Sequence, residues 1–219
     1  MKTLKEILEP TDFDERKEFQ KKSSDHAHAL GSRLEKHYKY PENEEKVLNR
    51  FTYSSSELNN HLWNDHKQKR EGYQKNLDDH EEDARIKGVY EPHNLDKALN
   101  RHKTPEDMEL FSNSRHDPRE IMNKDGVVHH PGYMSASINR NVSKNLKWNM
   151  KYKGKESHHH IWHMNIKKNS PGAYVNHLSN VPGQYEFVLP SGRNYKYNGT
   201  ESQQMGNDHY HYHSMELLP

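Results

Sequence analysis

Apolar residues are sparse along this chain, but their spacing is organised. Between Val47 and Trp63 the positions Val47, Leu48, Phe51, Leu58, Leu62 and Trp63 recur at helical intervals. This pattern predicts two consecutive helices, with Ser54, Ser55 and Ser56 available to cap the second. Residues 1 to 45 carry scattered Leu and Phe among Lys, Glu, Asp and His, a pattern of short amphipathic helices and charged linkers that sets this stretch apart as a helical appendage to a domain of residues 46–219. Residues 65–92 are charged again and read as an exposed helix or loop. Leu95, Ala98 and Leu99 predict a short helix over 94–100, broken by Thr104-Pro105-Glu106-Asp107.

After Met108 the period shortens. Glu109 to Ser112 reads as a short strand, and Asp117-Pro118 opens a turn or helix. Tyr133 to Ser137 reads as a strand, followed by a helix over 139–148 with Val142 and Leu146 at helical spacing. His160 to Ile166 alternates, with Trp162, Met164 and Ile166 on one side. Tyr185 to Leu189 alternates likewise, and Pro190-Ser191-Gly192-Arg193 then turns the chain so that Asn194 to Tyr197 returns antiparallel. His209, His211 and His213 against Tyr210 and Tyr212 mark a closing strand. Helices first and strands afterwards predict an α+β fold.

Composition narrows the chemistry. The hydrophobic fraction is 30%, so the core has to lean on aromatic residues, of which 13 are tyrosines. The formal charge of +1 argues against a surface dedicated to polyphosphate. The chain has no cysteine, which removes thiolate nucleophiles, disulfides and Cys-ligated zinc. No unbroken apolar run reaches membrane-spanning length, so a soluble protein with no membrane partner is expected.

The most informative segment runs from Leu178 to Pro190, a turn-rich loop entering a strand whose first residues are polar. Gln184 and Glu186 are two apart, so in an extended chain a carboxylate and an amide project from one face. For transfer at a glycosidic carbon, a fixed carboxylate stabilises oxocarbenium-like charge while the amide orients an acceptor. Taken alone, a Gln-x-Glu strand is more often a solvated sheet edge.

Four blocks in order change that weighting. They are Phe51-Thr52-Tyr53-Ser54 running to Leu58-Asn59-Asn60-His61-Leu62-Trp63; Leu95 to Leu99 with Thr104 to Phe111; Gly132-Tyr133-Met134-Ser135-Ala136-Ser137; and Gln184 to Pro190. With these blocks the chain resembles the mono-ADP-ribosyltransferase superfamily, namely the toxin exoenzymes and the Alt and Mod enzymes of tailed phages, in its Gln-x-Glu variant. The resemblance implies a split, two-sheet β core with N-terminal helices. It also implies NAD as substrate, cleaved at the nicotinamide–ribose bond, with ADP-ribose passed to a host macromolecule, a protein before a nucleic acid. By the same resemblance Glu186 is the catalytic glutamate, Gln184 faces the acceptor, Ser135 and Ser137 hold the NAD site together, Tyr133 stacks on nicotinamide beside Trp148 and Tyr152, and residues Ser179 to Gly183 contact the substrate. Gln at position 184 disfavours arginine as acceptor, because an amide offers a guanidinium no charge. The phage enzymes imply action in a bacterial cytoplasm on transcription or translation machinery, with carriage in the virion.

Ser112 stands where the family pattern has its first arginine, the residue that clamps NAD phosphate. Arg115 is assigned that role, with Arg119 one turn beyond. Two alternatives stay open on this account: an inactive virion or host-binding relative, and a NAD glycohydrolase. The 19 histidines, clustered at His158 to His160 and at His209, His211 and His213, are read as a polar strand face and not as a metal site, because neighbouring residues on a strand point to opposite faces. Lysines 144, 147, 151, 153, 155, 167 and 168, interleaved with Trp148 and Tyr152, are read as a solvated loop rather than a nucleic-acid groove.

Overall fold

The structure is a computed structural model. It describes residues 8–53, 55, 58–60, 62–64, 92–114, 117–145, 157–179 and 181–219. The expectations for 65–91, Leu146, Trp148, Tyr152 and lysines 147 to 155 lie outside these residues, and so does Arg115.

The charged N-terminal stretch forms one long helix where several short ones were expected. Helix α1 spans Phe13–His37, and Asp12 caps it by accepting from the amides of Asp14 and Glu15, both at 3.0 Å. Its apolar positions Ala27, Leu30 and Leu34 recur every three or four residues and are buried in the main core together with Tyr38 and Tyr40. Helix α2, Glu42–Tyr53, adds Leu48 and Phe51 to the same core. Residues 58–60 and 62–64 are helical, as the spacing predicted. Helix α3, Pro92–Arg101, contributes Leu95, Ala98 and Leu99.

The strands are β1 (Met108–Ser114), β2 (Val127–His130), β3 (Met134–Ser137), β4 (Ser157–Ile166), β5 (Ala173–Tyr174), β6 (Glu186–Leu189), β7 (Arg193–Met205) and β8 (Asp208–Leu217). A short helix α4, Arg140–Asn145, follows β3, and a 3-10 turn, Pro118–Glu120, follows β1. The fold is α+β, with helices leading a mixed eight-stranded sheet in the order β2-β7-β8-β4-β1-β3-β6-β5. Pairing is antiparallel throughout except between β4 and β8. One seam divides the sheet: β1 and β3 meet through a single register pair, Phe111 with Ser137. The limbs β2-β7-β8-β4-β1 and β3-β6-β5 meet at that point.

One expected pairing is replaced. The turn at Pro190 to Gly192 does not fold β7 back on β6; β7 pairs with β2 and β8 on the far limb. Strand β6 already has β3 on one edge and β5 on the other, so it has no open ladder to offer.

Alternation divides the side chains of the sheet. Trp162, Met164 and Ile166 of β4, Tyr195 of β7, and Met215 and Leu217 of β8 join the helices in the main core. Phe111, Ile161, Tyr210 and Tyr212 form a second, smaller cluster with Leu8 and Met205. No helix among the described residues is long and apolar enough to cross a membrane.

Candidate active site

Strand β3 is where the four sequence blocks converge. Asn59, in the helical residues of the first block, accepts from the Tyr133 amide through Oδ1 at 2.8 Å. The same helical segment presses on Gly132, where an added Cβ would meet Asn59 Oδ1 at 2.8 Å. Asp96 of the second block accepts from the Tyr133 hydroxyl at 2.7 Å. Strand β6 of the fourth block pairs along the whole of β3, with Ser137 opposite Glu186 and Ser135 opposite Val188.

Glu186 opens β6 and is 6% exposed, whereas Ser135 faces the exterior. The Ser135 hydroxyl donates to Glu186 Oε1 at 2.6 Å, diagonally across the two strands. Burial pushes the Glu186 carboxyl above its ordinary range, and hydrogen bonds from the Ser135 and Ser179 hydroxyls oppose that rise by favouring the ionised form. The arrangement is a carboxylate shielded on its inner side and held by hydroxyl donors at its outer edge.

Ser137 has a different task. It is 4% exposed; its hydroxyl donates to the Gln184 carbonyl at 2.6 Å and accepts from the Asn139 amide at 2.9 Å. It clips the loop before β6 to the start of α4, which Asn139 caps by accepting from the Asn141 amide at 3.0 Å. Asn176, which the sequence gave no reason to single out, organises the other side of that loop. Its side-chain oxygen accepts from the amides of Gly183 at 3.1 Å and Tyr185 at 2.9 Å.

Three readings of the site residues change. Gln184 lies before the strand and not within it, and Tyr185 between it and Glu186 has φ +52°, left-handed and unusual for a residue with a bulky side chain. The extended alternation that was to aim Gln184 and Glu186 together therefore does not exist. The Gln184 carbonyl is fixed by Ser137, and the Tyr185 carbonyl accepts from the Ile138 amide at 3.1 Å. Tyr133 is 3% exposed, edge-on to Phe51 with ring centroids 5.6 Å apart, and its hydroxyl is engaged by Asp96. It locks the helices to β3 and has no free face for a ligand ring. Arg119 is committed to Asp117, with its Nε 2.9 Å from Oδ1.

Ser112, at the arginine position of the family pattern, donates through its hydroxyl to the Ser135 carbonyl at 2.8 Å. It reinforces the seam beside Ser135 but brings no cation. A cavity of about 520 Å³ lies between α1 and the sheet, lined among others by Phe19, Phe111, Ile138 and Arg140. None of Ser135, Ser137, Gln184 or Glu186 lines it, so it is separate from this cluster.

Comparison with known proteins bears on the family and the fold. The family described as ADP-ribosyltransferase exoenzyme matches residues 27–215. Among solved structures, the chain is similar to Plx2a, an ADP-ribosyltransferase toxin from Paenibacillus larvae, at 17% identity and TM-score 0.62, covering 90% of this chain and 96% of that one. It is similar to Vis toxin from Vibrio splendidus at 13% identity and TM-score 0.65, covering 99% and 91%. It is also similar to the Clostridium limosum C3 exoenzyme at 21% identity and TM-score 0.59, covering 90% and 95%. These likenesses show the fold. No curated protein matches by sequence.

Proposed function

The chain belongs to the ADP-ribosyltransferase exoenzyme family, within the mono-ADP-ribosyltransferase superfamily, and from that premise we propose that it cleaves NAD at the nicotinamide–ribose bond and transfers ADP-ribose to a host protein. NAD is the substrate consistent with the family, and the related C3stau2 from S. aureus has been solved with NAD. The observation that carries the reading is the buried Glu186 carboxylate held by the outward-facing Ser135 hydroxyl at 2.6 Å.

In the proposed reaction the bond between the ribose anomeric carbon and the nicotinamide nitrogen breaks, and its electron pair leaves with nicotinamide. Positive charge develops on the ribose. Ionised Glu186 stabilises that charge at close range, in surroundings where burial strengthens the interaction. An acceptor nucleophile then attacks the anomeric carbon and gives up its proton to solvent. Ser135 keeps the carboxylate ionised and aimed. Ser137 and Asn176 fix the loop that carries Gln184, which faces the acceptor in this reading. Arg115 is the proposed partner of the NAD phosphates in place of an arginine at position 112.

Incubation of the protein and of Glu186→Gln with labelled NAD and with bacterial or animal lysate tests this. The proposal expects nicotinamide release and label on macromolecules that resists nuclease, is removed by protease and disappears in the variant. Label sensitive to nuclease would instead identify a nucleic-acid acceptor. Nicotinamide release without label would identify a NAD glycohydrolase. Ser112 supports a second reading, a non-catalytic relative that lost its phosphate clamp and serves as a binding module. Failure to bind NAD in equilibrium dialysis would select it.

A further inference from the structure

Two parallel strands change character together as they run toward one end of the sheet. On β4 the alternate positions read His158, His160, Trp162, Met164, Ile166, and on its neighbour β8 they read His209, His211, His213, Met215, Leu217. The apolar members lie in the main core, so the same face passes from core to a ladder of imidazoles. Ring centroids of successive members of the ladder, such as His160 and His211 or His160 and His213, stand 5.2 and 5.1 Å apart.

Strand β7 supplies hydroxyls to this ladder, which makes two equivalent triplets. In the first, Thr200 Oγ1 lies 2.6 Å from His213 Nδ1, and His213 Nε2 lies 2.9 Å from His160 Nδ1. In the second, Ser202 Oγ lies 2.8 Å from His211 Nδ1, and His211 Nε2 lies 2.8 Å from His158 Nδ1. The first triplet also meets a carboxylate. Asp117, at the start of the turn after β1, brings an oxygen to where ligand atoms of Asp117, His160 and His213 all lie within 4.8 Å of one another. Among the described residues this is the one group of three potential ligands so placed.

We propose that Asp117, His160 and His213 form a binding site for a first-row divalent cation, zinc as the natural occupant, which pins the turn after β1 to strands β4 and β8. Thr200 occupies one nitrogen of His213 and so orients the ring, leaving the other nitrogen as ligand. Ligand nitrogens of a tetrahedral zinc site stand about 3.3 Å apart, so the two rings need to open by only a few tenths of an ångström. His213 is fully buried and His160 half-buried, so both rings are held in place by the strands around them. Two imidazoles and one carboxylate suit zinc, cobalt or nickel better than magnesium or calcium. Both oxygens of Asp117 already accept from Arg119. Cation binding therefore requires Arg119 to release part of its hold, and the affinity falls below that of a site with a free carboxylate.

The second triplet, which among the described residues has no carboxylate grouped with it as Asp117 is with the first, is the internal control. The experiment uses full-length protein made without a polyhistidine tag, stripped with chelator, and titrated with zinc alone by calorimetry and with cobalt by visible absorption. It expects one equivalent of zinc, a tetrahedral cobalt spectrum and a zinc-dependent rise in thermal midpoint. Asp117→Asn and His160→Gln should each weaken binding at least about tenfold, while His158→Gln leaves it unchanged. Replacing buried His213 can unfold the chain, so these three variants carry the test. Zinc binding that survives Asp117→Asn, or that is lost in His158→Gln, would place the metal adventitiously on the outer ladder and overturn the proposal. Absence of saturable binding would overturn it too. None of these readouts involves NAD, so they stand apart from the proposed transferase activity.

Discussion

Ser135 donates its hydroxyl to Glu186 at 2.6 Å, from the exposed side of β3 to a carboxylate buried at the start of β6. The bond favours the ionised form against burial, which pushes the Glu186 carboxyl upward. In the proposed reaction ionised Glu186 is the form that stabilises the ribosyl cation, so kcat/KM for NAD cleavage should fall on acidification with a midpoint above the ordinary glutamate range. Ser135→Ala removes one opposing hydrogen bond and should move that midpoint to higher pH. At neutral pH it should lower kcat/KM by roughly 10- to 100-fold, the worth of one charge-assisted hydrogen bond. A pH–rate profile of both proteins checks this, and an unshifted midpoint would remove Ser135 from the site.

The same shift has the opposite sign for stability. A carboxyl whose folded pKa is raised contributes stability below its unfolded pKa and loses that contribution as pH rises through the folded value. Glu186→Gln should therefore unfold at a higher temperature than the parent at pH 8, with the gap closing toward acid. Thermal scans at several pH values measure it. The outcome also separates loss of activity by chemistry from loss by unfolding, since the inactive variant should be the more stable one.

In the proposed reaction, position 184 bears on acceptor choice. The Ser137 hydroxyl holds the backbone carbonyl of this residue, so its side chain can be exchanged without releasing the loop. Gln184→Glu adds a carboxylate able to attract a guanidinium. With agmatine, which the related Vis toxin binds in a solved complex, the variant should form ADP-ribosylagmatine roughly tenfold faster than the parent, and nicotinamide release without acceptor should change little. Equal rates with agmatine would show that loops other than this residue set the acceptor.

Much of the fold was legible because the deciding signals are periodic. The helix around Leu95, Ala98 and Leu99, and strands β4 and β8, follow directly from spacing. Strands β2 and β5, four and two residues long, are too short to establish a period. The destination of β7 depends on which edges of β6 are already occupied, and local sequence does not carry that. At the site, two of the blocks named from the sequence supply Ser135 and Glu186, which lie in hydrogen-bond contact. Tyr185 in a left-handed conformation and Asn176 as organiser of the loop were invisible, since neither residue type signals its role. The grouping of Asp117 with His160 and His213 needs the parallel register of β4 and β8 as well as a turn 43 residues away from His160 in the chain.

Glu44 is buried on α2, and both of its oxygens accept from the Arg101 guanidinium of α3, with Lys97 at 3.9 Å. The hydrogen bonds from Arg101 hold the Glu44 carboxyl below its ordinary range. A depressed carboxyl contributes stability above its unfolded pKa and loses it as pH falls through the folded value. Glu44→Gln should lower Tm by roughly 5 °C near neutrality, and the deficit should shrink at acid pH, where the parent also becomes protonated. Circular dichroism melts across that range decide it, and a constant deficit would mean that packing and not charge is lost.

Gly31 lies in the middle of α1, where helix propensity alone would favour alanine by about 1 kcal/mol. Packing argues the other way. A Cβ there would stand 2.5 Å from the Tyr174 hydroxyl and 3.3 Å from the Tyr185 ring. Tyr174 is fully buried, so its ring cannot swing aside, and α1 would have to lift from the sheet. Overpacking of this kind typically costs about 1–3 kcal/mol, which outweighs the propensity gain. Gly31→Ala should therefore be destabilised by up to about 2 kcal/mol net in a urea titration. Because Tyr185 precedes Glu186 directly, and its amide and carbonyl are both tied down, by Asn176 and Ile138, displacement of its ring also strains the loop beneath Gln184. The variant should then lose turnover at temperatures where it is still folded. A protein that loses stability but keeps its full kcat below the melting transition would show that α1 supports the sheet without setting the position of the reactive loop.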